Sequence, residues 1–79
     1  MEKYNITDKE KEAIIKLIDY ADWDSDDWER LYEDDTVTIN EGRNGKSYAW
    51  FQTESQNLII DIETLEIFTD EEIIEDLLC

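Results

Sequence analysis

The chain divides by hydrophobic period into a helical beginning, a stranded middle and a helical end. In the first part, Thr7 is followed three residues later by Glu10, the arrangement of a capping box at the start of a helix. Beyond it, four apolar residues recur at helical spacing and predict an amphipathic helix over residues 8–21. These four residues are Ile14, Leu17, Ile18 and Ala21.

A second and shorter helical stripe follows Ser25, a residue type that favours helix N-caps. The stripe consists of Trp28, Leu31 and Tyr32. Acidic residues fill most positions off this stripe, so we expect them to face solvent. The pattern predicts a short helix that ends near Asp34.

At Thr36 the period changes to the alternation that is typical of a half-buried strand. Gly42 and the pair Asn44-Gly45 tolerate positive φ, so residues 40–45 are predicted to form a hairpin loop. The alternating segments predict three strands and a possible fourth, at residues 36–39, 46–53, 57–62 and 65–68.

The last segment returns to a helical period. Thr69 and Glu72 have the spacing of a second capping box. The apolar residues that we expect to face inward are Ile73, Ile74, Leu77 and Leu78. The elements together predict a single α+β domain over residues 1–79. Its small antiparallel sheet of three to four strands is packed with two N-terminal helices and one C-terminal helix, which cover one face.

The second predicted strand conflicts with the prediction that helices cover only one face of the sheet. Tyr48 and Trp50 alternate with Ala49 and Phe51, which places aromatic rings on both faces of the sheet. Either helices cover both faces or one face is exposed. An exposed tryptophan or tyrosine beside acidic residues is a suitable anchor for a protein interface, and Trp23 is the nearest such ring.

The charges are segregated along the chain. Its 79 residues include 23 acids, 7 bases and no histidine, for a net charge of −16. Residues 1–18 have a net charge of zero and residues 36–50 of +1, whereas residues 19–35 carry −8 and residues 51–79 carry −9. So much negative charge repels phosphates, so we expect a basic protein partner and no direct contact with nucleic acid.

The composition argues against an enzyme. Without histidine the chain lacks the usual acid–base group at neutral pH and the commonest metal ligand, and it contains no phosphate-binding glycine loop. The single cysteine, Cys79, excludes an internal disulfide and fits a reducing cytoplasm. No run of 18 apolar residues is present. We therefore expect no catalytic activity, no cofactor, no metal and no membrane contact.

One local motif points to calcium. Four acids have the spacing of an EF-hand loop, with the last at its twelfth position. They are Asp22, Asp24, Asp26 and Glu33. Asp27 occupies the sixth position, where the sharp turn requires glycine, and the strand pattern from Thr36 leaves no room for a full exiting helix. A calcium-binding module over residues 22–33 is therefore an alternative interpretation.

The acidic segments form the candidate partner-binding site. Carboxylates three and four residues apart on a helix stand about 5–6 Å apart at Cβ, comparable to the phosphates along one nucleic-acid strand. A protein groove lined with lysine and arginine for nucleic acid would accept such rows. The candidate residues are Asp22, Trp23, Asp24, Asp26, Asp27, Glu29, Glu33, Asp34, Asp35, Glu71, Glu72, Glu75 and Asp76.

The size, the acidity, the mixed helix and strand order and the absence of histidine and proline resemble the small acidic inhibitors encoded by bacteriophages. The resemblance lies in the acidic runs at residues 22–35 and 61–76. These inhibitors include anti-CRISPR proteins and other DNA mimics. The resemblance implies a protein of the bacterial host cytoplasm that binds the basic nucleic-acid-binding surface of a CRISPR effector, a restriction enzyme or a DNA-repair enzyme. An immunity protein that neutralises a bacterial nuclease toxin is the second interpretation, because it has the same size and charge.

Overall fold

The structure, a computed structural model, describes residues 5–78, so Cys79 lies outside the described residues. The α+β class predicted from the sequence is confirmed, with a four-stranded sheet and three α-helices among these residues. The elements in chain order are α1 (Asp8–Tyr20), a 3-10 turn (Ser25–Asp27), α2 (Trp28–Glu33), β1 (Val37–Glu41), β2 (Ser47–Gln52), β3 (Asn57–Asp61), β4 (Ile67–Phe68) and α3 (Glu71–Leu78).

The sheet is antiparallel, in the order β1-β2-β3-β4. Phe51 on β2 lies opposite Val37 and Leu58, and the next residue back, Trp50, lies opposite Thr38 and Ile59. Because successive side chains of a strand point to opposite faces, these two sets define a first and a second face of the sheet.

Helices α1 and α2 cover the first face. Ile14, Leu17 and Ile18 of α1 are fully buried, and Leu31 of α2 is nearly so. They form one cluster with strand residues of the first face, among them Phe51. Thr7 and Glu10 start α1 with the predicted capping box, in which each side chain accepts a hydrogen bond from the other residue's backbone N–H.

Helix α3 covers part of the second face. Its Ile74 is fully buried in a separate cluster with Tyr48 and Ile59, and Trp50 and Phe68 pack against this cluster. The prediction that helices cover one face is therefore wrong, and the alternative of helices on both faces is confirmed. The physical reason lies in β2, whose alternating residues are large and apolar on both sides.

The start of the 3-10 turn and the start of α3 each differ from the prediction by one residue. Asp24, not Ser25, caps the 3-10 turn, because its carboxylate accepts from the backbone N–H of Asp26 at 3.0 Å. Asp70, not Thr69, provides the corresponding contact at α3, where it accepts from Glu72 N–H at 2.9 Å. Aspartate caps a helix as well as serine or threonine does, so propensity alone does not choose between neighbours.

The C-terminal end of α3 is held by the β1–β2 hairpin. The backbone N–H of Arg43 donates to the Leu77 carbonyl at 2.8 Å. A Cβ added at Gly42 would stand 2.7 Å from Tyr48 Cε2 and 3.2 Å from the Leu77 carbonyl oxygen. Glycine at position 42 therefore permits the close approach of hairpin and helix, whereas Gly45 provides the positive φ of the turn.

One member of the acidic runs is buried. Asp61 is 3% exposed, and its Oδ1 accepts hydrogen bonds from the backbone N–H groups of Glu63 and Thr64 at 2.8 and 3.2 Å. Its other oxygen lies 3.9 Å from Lys46 Nζ. Asp61 therefore holds the turn between β3 and β4 and contributes little to the charged surface.

Candidate protein-binding surface

The structure exposes every acid of the predicted site. Eight of them, which we call the α2 acidic surface, occupy the end of α1, the 3-10 turn, α2 and the residues just after it. They are Asp22, Asp24, Asp26, Asp27, Glu29, Glu33, Asp34 and Asp35. The other four, the α3 acidic surface, lie on α3 and are Glu71, Glu72, Glu75 and Asp76.

The two acidic surfaces are not brought together. Helix α2 packs with α1 on the first face of the sheet, whereas α3 packs on the second. The sheet therefore separates the acids of α3 from those of α2, and the two groups are distinct candidate surfaces for a partner.

The α2 acidic surface contains one base. Arg30 is the only lysine or arginine of residues 19–35, and its guanidinium lies 3.2 Å from the Asp27 carboxylate and 3.8 Å from that of Asp34. All three side chains are at least half exposed, so these ion pairs contribute little to stability. The surface remains strongly negative around them.

Asp22 ends α1 in a conformation that glycine usually adopts. Its φ is 67°, in the left-handed region. The Asp22 N–H donates to the Asp19 carbonyl and the Trp23 N–H donates to the Ile18 carbonyl, each at 3.1 Å. With the C-cap at Ala21, this is the Schellman motif, in which the left-handed position is most often glycine.

The end of α2 repeats this arrangement. Asp35 has a φ of 60°, its N–H donates to the Tyr32 carbonyl, and the next residue, Thr36, donates to the Leu31 carbonyl. At each of these helix ends the backbone strain is accompanied by an unfavourable charge, because the helix dipole makes the C-terminus negative. Aspartate at these two positions therefore lowers stability for two independent reasons.

The EF-hand spacing does not fold into a calcium loop. The Asp24 carboxylate caps the 3-10 turn, and α2, which ends at Glu33, has only six residues. Within the part of the chain that the structure describes, no three histidine, cysteine, aspartate or glutamate side chains converge as a metal-binding group. The described fold therefore does not bring these four carboxylates together as a calcium loop would.

Trp23, the predicted aromatic anchor, is attached to the fold and partly exposed. Its Nε1–H donates to Gln56 Oε1 at 3.1 Å, and the Gln56 amide donates in turn to the Ala21 carbonyl. The indole ring meets Phe51 edge to face, with centroids 5.2 Å apart. Even so, 41% of the residue is accessible to solvent, so a held tryptophan remains available to a partner.

The α3 acidic surface has a base beside it. Arg43, on the hairpin that holds the end of α3, lines a shallow groove with Glu72, Glu75 and Asp76. Glu71 and Glu72 lie in the first turn of the helix, where the helix dipole favours negative charge. Local stability therefore accounts for Glu71 and Glu72, whereas Glu75 and Asp76 lie in the last turn, where the dipole does not favour them.

Two exposed apolar side chains were missed by the sequence reasoning. Tyr20, in the last turn of α1, is 58% exposed, and Ile73, expected to face inward, is 42% exposed. The helical period contained the signal for Tyr20, because position 20 lies beside the stripe of Ile14, Leu17 and Ile18 rather than within it. For Ile73 the neighbouring Ile74 takes the buried position.

No similarity to a known protein indicates what this surface binds. The chain matches no protein-family model, no curated protein and no solved structure. Within residues 5–78, no helix has the length and apolarity needed to cross a membrane.

Proposed function

We propose that this protein is a small acidic inhibitor that binds the basic nucleic-acid-binding surface of a bacterial defence nuclease, such as a CRISPR effector or a restriction enzyme. It acts as a DNA mimic and blocks DNA recognition in the cytoplasm of the host cell. It is not an enzyme. The observation that carries this proposal is the presence of Asp22 and Asp35 at the left-handed ends of two successive helices.

These two aspartates favour a role for the charge itself. Glycine at either position would relieve backbone strain, and a neutral or basic residue would suit the helix dipole. A sequence selected for solubility alone has many exposed positions at which an acid costs no stability. Acids kept where they weaken the fold are typical of a functional surface, since such sites often oppose local stability.

The arrangement of the acids suits a groove that binds a phosphate backbone. Asp26, Glu29 and Glu33 follow one another at intervals of three and four residues along the 3-10 turn and α2. Exposed carboxylates in such a row attract a lysine- and arginine-lined groove over long range and pair with it on contact. The attraction is screened by salt, which makes binding steeply dependent on ionic strength.

The test is a DNA-cleavage assay with a panel of purified CRISPR effectors and restriction nucleases. The first variant replaces Asp24, Asp26 and Asp27 with asparagine, which removes three charges and leaves a residue that caps the 3-10 turn equally well. The matched control replaces Glu72 and Glu75 with glutamine and Asp76 with asparagine. It removes the same charge from the opposite face of the sheet.

We expect the wild type and the α3 variant to inhibit at least one nuclease, and the α2 variant to lose inhibition while keeping its circular dichroism spectrum. Raising the salt concentration from about 50 mM to about 200 mM should weaken wild-type inhibition by tenfold or more. The reason is that the inhibitor has to displace the ions bound in the basic groove. Inhibition that does not depend on the salt concentration, or that persists in the α2 variant, would contradict the proposal. So would a failure to inhibit any nuclease at low salt.

A further inference from the structure

Two aromatic residues at the end of α1 are exposed. Tyr20 is 58% exposed and Trp23 is 41% exposed, and they stand three residues apart across the Schellman turn. In the described part of the chain, the other large apolar residue exposed to this extent is Ile73, on the opposite face of the sheet. The remaining large apolar side chains described are buried or half-buried, so this corner of the surface is unusual.

The indole ring is held in a fixed orientation. Its hydrogen bond to Gln56 and its T-shaped contact with Phe51 restrict the ring. A partner that packs on the accessible face therefore does not have to order the ring first. Fixed aromatic side chains of this kind lose little conformational entropy on binding and are common anchors of protein interfaces.

The surroundings of the two rings are acidic. Asp19, Asp22 and Asp24 are all exposed and lie within four residues of one or both rings. Residues 17–29 contain no lysine or arginine, and the nearest base along the chain on the α1 side is Lys16, one turn before Tyr20. The corner therefore favours an occupant that is cationic and able to pack on an aromatic face.

We propose that Tyr20 and Trp23 form the aromatic centre of the interface and bind arginine side chains of the partner. This proposal rests on the proposed function, and it specifies which acidic surface makes contact and with which side chain. A guanidinium stacks flat on an aromatic face and donates hydrogen bonds from its edge to carboxylates beside the ring. A lysine ammonium is more strongly hydrated and lacks this planar fork, so it fits the corner less well.

The experiment uses two peptides of equal charge, hexa-arginine and hexa-lysine, titrated into the full chain at low salt. Binding is followed by NMR through the indole N–H signals of the three tryptophans. Two variants accompany the wild type: Tyr20→Ala at the corner, and Ile73→Ala as a matched control that removes an exposed apolar side chain from the opposite face. Because Tyr20 is mostly exposed, its replacement leaves the core intact.

We expect hexa-arginine to bind about threefold more tightly than hexa-lysine, since a cation on an exposed ring gains a modest amount of free energy. Its binding should shift the Trp23 signal more than those of Trp28 and Trp50. Tyr20→Ala should lower the affinity for hexa-arginine by about threefold and change the affinity for hexa-lysine less. Ile73→Ala should leave both affinities unchanged.

Equal affinities for the two peptides, no detectable binding of hexa-arginine, or an unchanged affinity in Tyr20→Ala would overturn this inference. The nuclease assay separates its failure from that of the proposed function. If the aspartate variant loses nuclease inhibition and Tyr20→Ala keeps it in full, the acidic inhibitor stands and the aromatic centre is rejected. If hexa-arginine binds as expected and no nuclease is inhibited, the arginine site stands and the nuclease target is rejected.

Discussion

The two faces of the sheet are built differently. On the first face, α1 and α2 bury a cluster that includes Ile14, Leu17 and Phe51, each fully inaccessible to solvent. On the second face, α3 buries Ile74 completely and the rest of its apolar stripe only in part. Since the free energy of burial grows with the apolar area removed from water, we infer that the first face provides most of the stability.

The acids differ in whether their position on a helix stabilises the fold, and on the first face Asp26, Asp27 and Glu29 lie in favourable first turns. The acids at the start of α3 lie where the helix dipole favours them, and Arg43 stands beside this helix. Asp22 and Asp35 lie where both the dipole and the backbone disfavour them. Equal acidity in the sequence therefore does not mean an equal effect on stability, because the position on the helix decides whether a charge stabilises the fold.

The largest difference in stability between the two faces is expected for a pair of phenylalanine substitutions. We expect Phe51→Ala on the first face to lower the free energy of unfolding by about 4 kcal/mol, since it empties a fully buried site. Phe68→Ala on the second face should cost only about 2 kcal/mol, because Phe68 is half-buried. Urea unfolding measures both, and equal losses would show that the second face is packed as firmly as the first.

A glycine pair tests the attachment of α3. We expect Gly42→Ala to lower the free energy of unfolding by about 2 kcal/mol, because its Cβ overlaps Tyr48 and crowds the Leu77 carbonyl. Amide hydrogen exchange should quicken in α3 and stay slow in α1. The control, Gly45→Ala, strains a turn with φ of 83° but meets no neighbouring atom, so it should leave exchange in α3 unchanged. Faster exchange in α1 than in α3 after Gly42→Ala would refute this arrangement.

The smallest expected change in stability distinguishes an acid at a helix C-terminus from an acid in the first turn of a helix. Asp22→Asn keeps a residue that tolerates positive φ and removes a charge from the C-terminus of α1, so we expect it to raise stability by about 0.5 kcal/mol. Glu71→Gln removes a charge from the first turn of α3 and should lower stability by a similar amount, about 0.5 kcal/mol. Thermal unfolding of the two variants gives the difference directly. Shifts of the same sign and size would mean that only the total charge matters.

Much of the fold was predictable because its signals are local. Thr7, Glu10 and the apolar stripe of α1 lie within one stretch of chain, and the predicted helix over residues 8–21 ends within one residue of the observed Tyr20. The hairpin before Lys46 followed from the conformational freedom of glycine at the turn. The caps at Asp24 and Asp70 were misassigned by one residue. Serine, threonine and aspartate all favour the N-cap position, and the backbone path selects among neighbours.

The sequence predicted which residues belong to the candidate site, but it did not predict how they are arranged in space. All the acids proposed for partner binding are exposed, as most charged residues are. Asp61 sits within an acidic run and is nevertheless buried, because the amides of the following turn surround its carboxylate. No periodicity in the sequence predicts such a turn. Tyr20 was overlooked, although its position beside the apolar stripe was visible in the sequence.

The sequence by itself determined the order of the elements, the alternation of β2 and the sign of the surface charge, because each depends on residues close together in the chain. Only the tertiary structure decided that α3 crosses to the second face and that the α2 and α3 acidic surfaces lie on opposite sides of the sheet. It also decided that Asp22 and Asp35 terminate helices in left-handed conformations. These outcomes depend on how apolar surface far apart in sequence is buried, and no local pattern carries that information.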